Sequence, residues 1–277
     1  MVKPNNTNTL RGVDENPLCA MVLGSMNKFR KSLAFTLAEV LITLGIIGIV
    51  AAMVIPSLIN AYQKHVTVTR FKQTYAQITQ AVKLSEAENG DLDNWEMYSP
   101  ENHNYDEMVL FTKTYILPYI KYAYTCSKGD YNKNRNCRQK PIANLSNQRL
   151  DSNYKNYYAV ILMNGTQLTF DPRRSYVFVL VDINGPISDP NMRGKDIFGM
   201  IIKKSNVNTY FTNDIKSSGV FLAGDGFTRE QLIDSNANPI STSKYYVCSK
   251  KGSTFSGTYC GALIKLDGWK ISKDYPW

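Results

Sequence analysis

The feature that most constrains how this chain folds is an apolar segment near its N-terminus. Residues 40–55 carry no charge, and weakly polar flanks extend the apolar stretch to residues 35–59. A helix rises about 1.5 Å per residue, so roughly 20 apolar residues cross the hydrocarbon core of a bilayer. Because the stretch is long enough, the sequence predicts one membrane-spanning helix.

Basic residues lie directly before this segment, at Lys28, Arg30 and Lys31. The positive-inside rule therefore predicts a cytoplasmic N-terminus, with the bulk of the chain across the membrane. A cleaved secretory signal peptide is the alternative, and it would have a shorter apolar core followed by a small-x-small cleavage site. Residues 51–53, Ala-Ala-Met, match such a site poorly. Retention of the segment is favoured over its removal.

The order of residues within 31–56 is specific. It reads KSLAFTLAEVLITLGIIGIVAAMVIP, in which Phe35 follows a small residue and a single carboxylate stands four residues later. This order resembles the leader and first helix of the type IV pilin and type II secretion pseudopilin superfamily. The resemblance implies a leader of residues 1–34, cleavage by prepilin peptidase between Ala34 and Phe35, and N-methylation of Phe35. The family usually has Gly at the position of Ala34, and this departure predicts slower processing.

Glu39 is the carboxylate at the edge of the apolar helix. Such a group is costly in a membrane unless it finds a partner or reaches the interface. One interpretation is snorkelling, since Glu39 lies about one helical turn inside the expected mature end. The other is that Glu39 of one subunit neutralises the free amine of Phe35 in its neighbour, a pair that an apolar setting strengthens. The resemblance implies the second role, in filament assembly.

Small residues and a proline mark the same helix. Spacings of seven, three and four place four small residues on one helical face, namely Ala38, Gly45, Gly48 and Ala52. Small residues let membrane helices approach each other closely. Pro56 removes a backbone donor and predicts a kink. The resemblance implies that Gly48 and Pro56 bracket a segment able to lose helicity inside the assembled filament.

Beyond Pro56 the apolar pattern becomes amphipathic. Its stripe recurs at i, i+4, i+7 and i+11, through Phe71, Tyr75, Ile78 and Val82. The stop comes near Gly90, which suits a helix C-terminus. The sequence predicts one long helix over residues 35–88, with a transmembrane half at 35–59 and an amphipathic half within 60–90. Two helices joined at Pro56 are the alternative.

Residues 91–277 are polar and rich in tyrosine and loops, and they predict one extracytoplasmic α+β domain. Asn164-Gly165 between two β-rich runs is a strong hairpin signal. The expected strands are residues 157–163, 166–170, 175–183 and 197–203. A helix or helix-turn, broken at Pro118, is expected over residues 108–124. The predicted fold class is therefore α+β and pilin-like, with the long N-terminal helix packed on a small antiparallel sheet.

The chain has five cysteines, of which Cys19 lies in the expected leader. The others form two local pairs, Cys126 with Cys137 and Cys248 with Cys260. An even count at short spacing in an exported chain predicts disulfides, and the local connectivity is favoured because both intervening stretches read as loops. Zinc is disfavoured because the spacings are not those of a CxxC site and His65 lies far from His103.

The turn-rich segment 181–198 gathers hard oxygen ligands that could hold calcium, at Asp182, Asn184, Asp189 and Asp196. It departs from the EF-hand pattern, because Gly185 directly follows the second oxygen residue and no Glu closes the loop. Similar loops occur in pseudopilin-like proteins, and the resemblance implies calcium as an alternative. A connection held by Asx-turns and glycine is favoured. No other cofactor is expected.

A basic cluster with interleaved tyrosines surrounds the first cysteine pair, at Lys121, Lys128, Lys133, Arg135, Arg138 and Lys140. Basic groups beside aromatic rings can hold a single nucleic-acid strand. Removal of the expected leader, which holds five basic and two acidic residues, lowers the net charge from +9 to about +6. This is a modest excess, and such a cluster is more often a solvated face. Nucleic acid is therefore not expected as a partner.

Catalysis has little support, because neither a nucleophile–base couple nor a metal centre stands out in the sequence. The expected function is a structural subunit of a type II secretion pseudopilus or type IV pilus-like filament. It would be a single-pass protein of the bacterial inner membrane. Homologous subunits, prepilin peptidase and an inner-membrane assembly platform would be its partners. The alternatives are an adhesive or DNA-uptake pilin, and an anchored exported enzyme or binding domain.

Overall fold

The computed structural model describes residues 35–97, 105–127, 137, 141–150, 157–173, 175–238 and 240–277. The expected leader, with Ala34 and Cys19, lies outside the described residues, as does His103. Most of the basic cluster also lies outside them, namely Lys128, Lys133, Arg135, Arg138 and Lys140. The chain divides into two compact units, Met1–Val54 and Ile55–Trp277.

The first helix, α1, spans Leu37–Asn89 and continues through Pro56. The structure therefore has one helix here, and the alternative of two helices joined at Pro56 is wrong. In the first unit, side chains 35–50 are exposed and Ala51 is the first to be half-buried. This part of α1 has no packed face of its own.

In the second unit, α1 buries one stripe of side chains. Phe71, Ile78 and Val82 are buried, as the periodicity predicts, and Tyr75 is half-buried. The Tyr75 hydroxyl donates to the carbonyl of Val220 at 3.2 Å. Thr74 is also buried within the stripe, and its hydroxyl donates to the carbonyl of Arg70 at 2.9 Å. The predicted amphipathic stripe is confirmed.

The second unit contains a six-stranded antiparallel sheet in the order β1-β4-β5-β6-β7-β8. Its strands are β1 Tyr122–Cys126, β4 Tyr158–Leu162, β5 Gln167–Arg173, β6 Tyr176–Asp182, β7 Ile197–Lys203 and β8 Gly219–Leu222. The short strands β2 Ile142–Ala143 and β3 Arg149–Leu150 pair separately. The remaining helices are α2 Tyr105–Tyr115, α3 Arg229–Ile233 and α4 Cys260–Leu266. The predicted α+β class is confirmed.

The hairpin between β4 and β5 follows from its turn residues. Gly165 has φ of 84°, a conformation that favours glycine, and its amide donates to the carbonyl of Leu162 at 2.9 Å. The side chain of Asn164 accepts from the amide of Thr166 at 3.1 Å. The predicted turn at Asn164-Gly165 is confirmed, and it makes β4 and β5 antiparallel neighbours.

The sheet is covered on both faces, which explains why every residue of β7 is buried. On one face Phe198 stacks on Phe71 of α1, with ring centroids 4.1 Å apart. On the other face Phe178 of β6 stacks on Phe211, with ring centroids 4.5 Å apart. Phe211 belongs to the loop-rich segment after β7, so this segment supplies the second covering layer.

The prediction of a helix or helix-turn over residues 108–124 is confirmed as far as Tyr119 and is wrong at its end, where β1 begins. Helix α2 ends at Tyr115, a short 3₁₀ turn covers Leu117–Tyr119, and β1 begins at Tyr122. Proline disfavours a continuing helix, and the residues beyond it pair with β4, where Cys126 stands opposite Ala159. This edge pairing links segments distant in sequence, which local periodicity does not reveal.

Both local cysteine pairs are disulfides in the structure, Cys126–Cys137 and Cys248–Cys260. The first ties the end of β1 to Cys137, and the second ties the start of α4 to the chain before it. The sequence separations are 11 and 12 residues. Loops of this length contribute roughly 3 kcal/mol each in the chain-entropy account of disulfide stabilisation.

Candidate functional site

The apolar half of α1 is the largest exposed apolar feature among the described residues. An 18-residue window has a mean hydropathy of 2.5 and is 0% buried. By length and composition this helix is suited to cross a membrane. An exposed apolar surface of this extent is typical of membrane contact or protein association rather than of a water-facing helix.

Glu39 caps the start of this helix. Its Oε2 accepts from the backbone amide of Thr36 at 2.8 Å and from the Thr36 hydroxyl at 2.9 Å. In return the Glu39 amide donates to the Thr36 hydroxyl oxygen at 3.2 Å. This reciprocal pair is a capping box, which satisfies amides that the first helical turn leaves open. No ion pair between described residues involves Glu39.

The glycines of the apolar helix have open surroundings. A Cβ added at Gly45 or Gly48 would meet no described atom within 4 Å. Neither glycine is therefore required by packing inside the described chain. The space is suited to the close approach of another helix, as small residues permit in membranes. Phe35 stands before this helix and is 81% exposed.

The segment between β6 and β7 uses its carboxylates to hold its own backbone. Asp182 Oδ1 accepts from the amides of Asn184 at 3.3 Å and Gly185 at 2.9 Å. The Asp196 carboxylate accepts from the amides of Asn191 at 2.7 Å and Met192 at 2.6 Å. Buried carboxylates bound in this way brace a loop, and this is the favoured interpretation from the sequence.

Burial also changes the acidity of this pair. Desolvation, and then the charge of Asp196, raise the pKa of Asp182 to about 8. Burial likewise raises the pKa of Asp196, opposed by the amides of Met192 and Asn191. Both shifts have the sign expected when a carboxyl group loses water without gaining a cation.

Two of the calcium candidates, Asn184 and Asp189, are joined by a contact to the backbone. Asn184 Nδ2 donates to the backbone carbonyl of Asp189 at 3.0 Å, so this contact is a turn rather than a side-chain cage. Within the described part of the chain, no group of three or more His, Cys, Asp or Glu side chains is placed to hold a metal ion. Asp182 and Asp196 accept from backbone amides, as the favoured Asx-turn interpretation expects, and calcium binding by this segment stays a prediction.

Sequence reasoning missed an ionic cluster that joins α3 to the C-terminal segment. The Arg229 guanidinium contacts Asp267 at 2.9 Å and Asp274 at 2.7 Å. Hydrogen bonds from Arg229 hold the pKa of Asp267 and of Asp274 below their usual range. Nothing in the sequence marks these partners, because 38 residues separate Arg229 from Asp267. The cluster is placed to fasten the C-terminal segment to α3.

Comparison with known proteins adds a family and no function. Neither the curated proteins nor the solved structures contain a match to this chain. A family described as a family of unknown function (DUF6613) matches residues 57–277. The match begins just after Pro56 and covers more than half of the sequence. The chain therefore belongs to the family of unknown function DUF6613.

Proposed function

We propose that this chain is a structural subunit of a type II secretion pseudopilus or type IV pilus-like filament. The observation that carries the proposal is the apolar, unburied half of α1, which opens on a single carboxylate, Glu39. A helix with this surface needs a membrane before assembly and neighbouring helices afterwards. The same protein would be anchored in the bacterial inner membrane by α1, with its N-terminus in the cytoplasm.

The proposed assembly step concerns the charge of Glu39. Both Thr36 donors reach Oε2, and among the described residues no hydrogen bond or ion pair to Oε1 is present. After cleavage behind Ala34, the new amine of Phe35 on a neighbouring subunit would supply the missing cation. A lone carboxylate in an apolar medium is costly, so each added subunit would be drawn into the register that pairs it.

The rest of the chain is suited to a filament's outer face. Two disulfides cross-link the second unit, and such bonds persist in oxidising compartments outside the cytoplasm. Phe71, Ile78 and Val82 are buried, so the second half of α1 is part of the packed core of that unit. Homologous subunits, prepilin peptidase and an assembly platform in the inner membrane would be the partners.

Mass spectrometry of the N-terminus tests this proposal directly. The protein would be extracted from membranes of cells that carry prepilin peptidase, and from matched cells that lack it. We expect a chain that begins at methylated Phe35 in the first sample and an uncut chain in the second. An uncut N-terminus in both samples would make the protein a simple membrane-anchored one. Cleavage beyond Ala52 would make it a soluble exported domain and would refute the proposal.

A further inference from the structure

A basic groove of about 680 Å³ lies in the second unit, between α1 and the chain that follows α4. Lys64 and Lys72 line it from α1, and Lys270 lines the opposite wall. Within the described part of the chain, no Asp or Glu lines this groove. None of the ion pairs between described residues involves these three lysines, so the groove presents uncompensated positive charge.

Two of these lysines lie over indole rings. The Lys72 ammonium stands 5.7 Å from the ring centroid of Trp269, and the Lys64 ammonium stands 5.8 Å from that of Trp277. These distances are within the range of cation–π attraction. Because such a contact leaves the ammonium charged, the rings hold both groups at the groove while they remain able to form an ion pair.

An acidic tip, defined by Glu88 and Asp91, lies where α1 ends. Both residues are exposed, and no ion pair between described residues involves either of them. The surrounding sequence adds to their charge, because residues 84–112 contain eight Asp or Glu and no Lys or Arg. Residues 55–85 have the opposite composition, with four Lys or Arg and no Asp or Glu. The charges of the second unit are therefore divided along α1.

Packing fixes the backbone at the acidic tip. The buried Trp95 donates from its indole nitrogen to the carbonyl of Gly90 at 2.8 Å. The Tyr119 hydroxyl donates to Oε2 of Glu88 at 2.8 Å. A surface that is held in place before binding loses less conformational entropy when a partner binds.

The basic groove and the acidic tip do not meet within one subunit. In α1, 16 residues separate Lys72 from Glu88 and 24 separate Lys64 from Glu88. At 1.5 Å per residue these separations are about 24 and 36 Å. An ion pair requires a nitrogen and an oxygen within about 4 Å of each other. A contact between the two surfaces therefore joins two copies of the chain.

We propose that the basic groove of one subunit binds the acidic tip of a second copy of this chain. Complementary charge selects this partner, because it favours the matching surface and disfavours surfaces of like charge. The two surfaces are different, so the contact is head to tail, and a repeated head-to-tail contact that does not close into a ring builds an open filament. This inference rests on the proposed filament function and names a contact between the second units of neighbouring subunits.

The positions of the two surfaces also set the displacement between the two copies. The neighbour must be shifted by about 24–36 Å along α1, which is comparable with the roughly 30 Å hydrocarbon core of a bilayer. Copies anchored at the same depth in one bilayer do not have this shift. The contact therefore forms once a subunit has moved along its axis, and it stabilises the filament relative to the anchored subunits.

Zero-length cross-linking of the purified full chain tests this contact. Equal amounts of unlabelled and 15N-labelled chain would be mixed in mild detergent at low salt and treated with a carbodiimide, which joins a lysine amine to a carboxylate that it contacts. Mass spectrometry then shows which residues are linked and whether the two peptides come from different copies. We expect links of mixed isotope between the groove lysines and the acidic tip. Groove lysines that link to other carboxylates alone, or to none, would overturn the proposal.

Charge reversal measures the strength of the contact by sedimentation in the same detergent. One variant makes the groove acidic, K72E/K270E, and the other makes the tip basic, E88K/D91K. Two exposed ion pairs change an association constant by about 2- to 30-fold, so each variant alone should lose at least that much self-association. An equal mixture of the two variants restores opposite charges at every contact and should associate as the native chain does. Misfolding of either variant would not produce this recovery.

A matched control separates the groove from net charge. The variant K113E/K244E makes the same change in charge at exposed lysines that do not line the groove, and it should associate as the native chain does. Equal loss in this control, or a mixture that fails to recover, would overturn the proposal. These measurements use purified protein and do not depend on cleavage before Phe35. The proposed filament function fails instead on an uncut N-terminus in cells that carry prepilin peptidase, so the two failures are distinguishable.

Discussion

The contact between α1 and α4 can be tested by changing Phe71 and Gly261 separately and together. Phe71 is fully buried and packs between the rings of Phe198 and Trp269. Gly261 lies in α4, and an added Cβ there would stand 2.8 Å from Cζ of Phe71. The two residues therefore compete for the same space, which a double-mutant cycle measures.

The structure sets the expected magnitudes. Phe71→Ala removes a buried ring and should lower the free energy of unfolding by about 3–5 kcal/mol. Gly261→Ala overpacks a ring that its neighbours hold, at about 1–3 kcal/mol, offset by a gain of roughly 0.5–1 kcal/mol in helix propensity. In the Phe71→Ala background the clash is gone, so Gly261→Ala should stabilise by about 0.5–1 kcal/mol.

The assay is urea denaturation of the full chain in a mild detergent with disulfides intact, followed by near-ultraviolet circular dichroism. The urea midpoints of two variants are compared where their m values are equal, so that a difference in midpoint reports a difference in the free energy of unfolding. Leu84→Ala is the control on the same helix, since Leu84 is 46% exposed. Its effect should stay below about 0.5 kcal/mol, as expected for a surface position.

Two results would refute this account of the core. A loss below about 1 kcal/mol for Phe71→Ala would mean that α1 does not contribute its stripe to the sheet, since buried aromatic truncations cost several times more. Additive effects of the two substitutions would mean that Phe71 and Gly261 are not in contact.

Three further predictions follow from the same structure. Under the proposed filament function, Glu39→Gln keeps an oxygen for the cap with Thr36 and removes the charge, so filament yield by electron microscopy should collapse, whereas the surface variant Glu96→Gln should assemble normally. Replacing Cys248 and Cys260 together by alanine should lower the free energy of unfolding by about 3 kcal/mol, and no change on denaturation would contradict the loop-entropy argument. The pKa of Asp182 is raised to about 8, so its bound proton stabilises the fold at acid pH, and this contribution is lost as the pH rises towards that value. Asp182→Asn should therefore flatten the pH dependence of the unfolding midpoint between about pH 4 and 8, and an unchanged profile would refute the shift.

The predictions that the structure confirms rest on local sequence patterns. In an apolar medium, a single charge-free run of this length satisfies its own backbone hydrogen bonds only as a helix. The helix at the N-terminus therefore follows from composition alone. The buried stripe of α1 is a periodic signal, seen at Phe71, Ile78 and Val82. The hairpin turn is a two-residue signal, Asn164-Gly165. Neither signal needs information about the tertiary structure. The same holds for β7, whose apolar run coincides with the predicted strand at residues 197–203.

Contacts between segments that are distant in sequence were decided by the tertiary structure. Strand β1 forms because its residues pair with β4, for example Cys126 with Ala159. The ionic cluster at Arg229 forms because the C-terminal segment returns to α3. Trp269 likewise reaches Lys72 and Phe71 of α1 because the turn after α4 brings it back to that helix. Sequence patterns report which face of an element is apolar, because that depends on residues a few positions apart. They do not report which distant segment covers that face, since that depends on the packing of the whole unit.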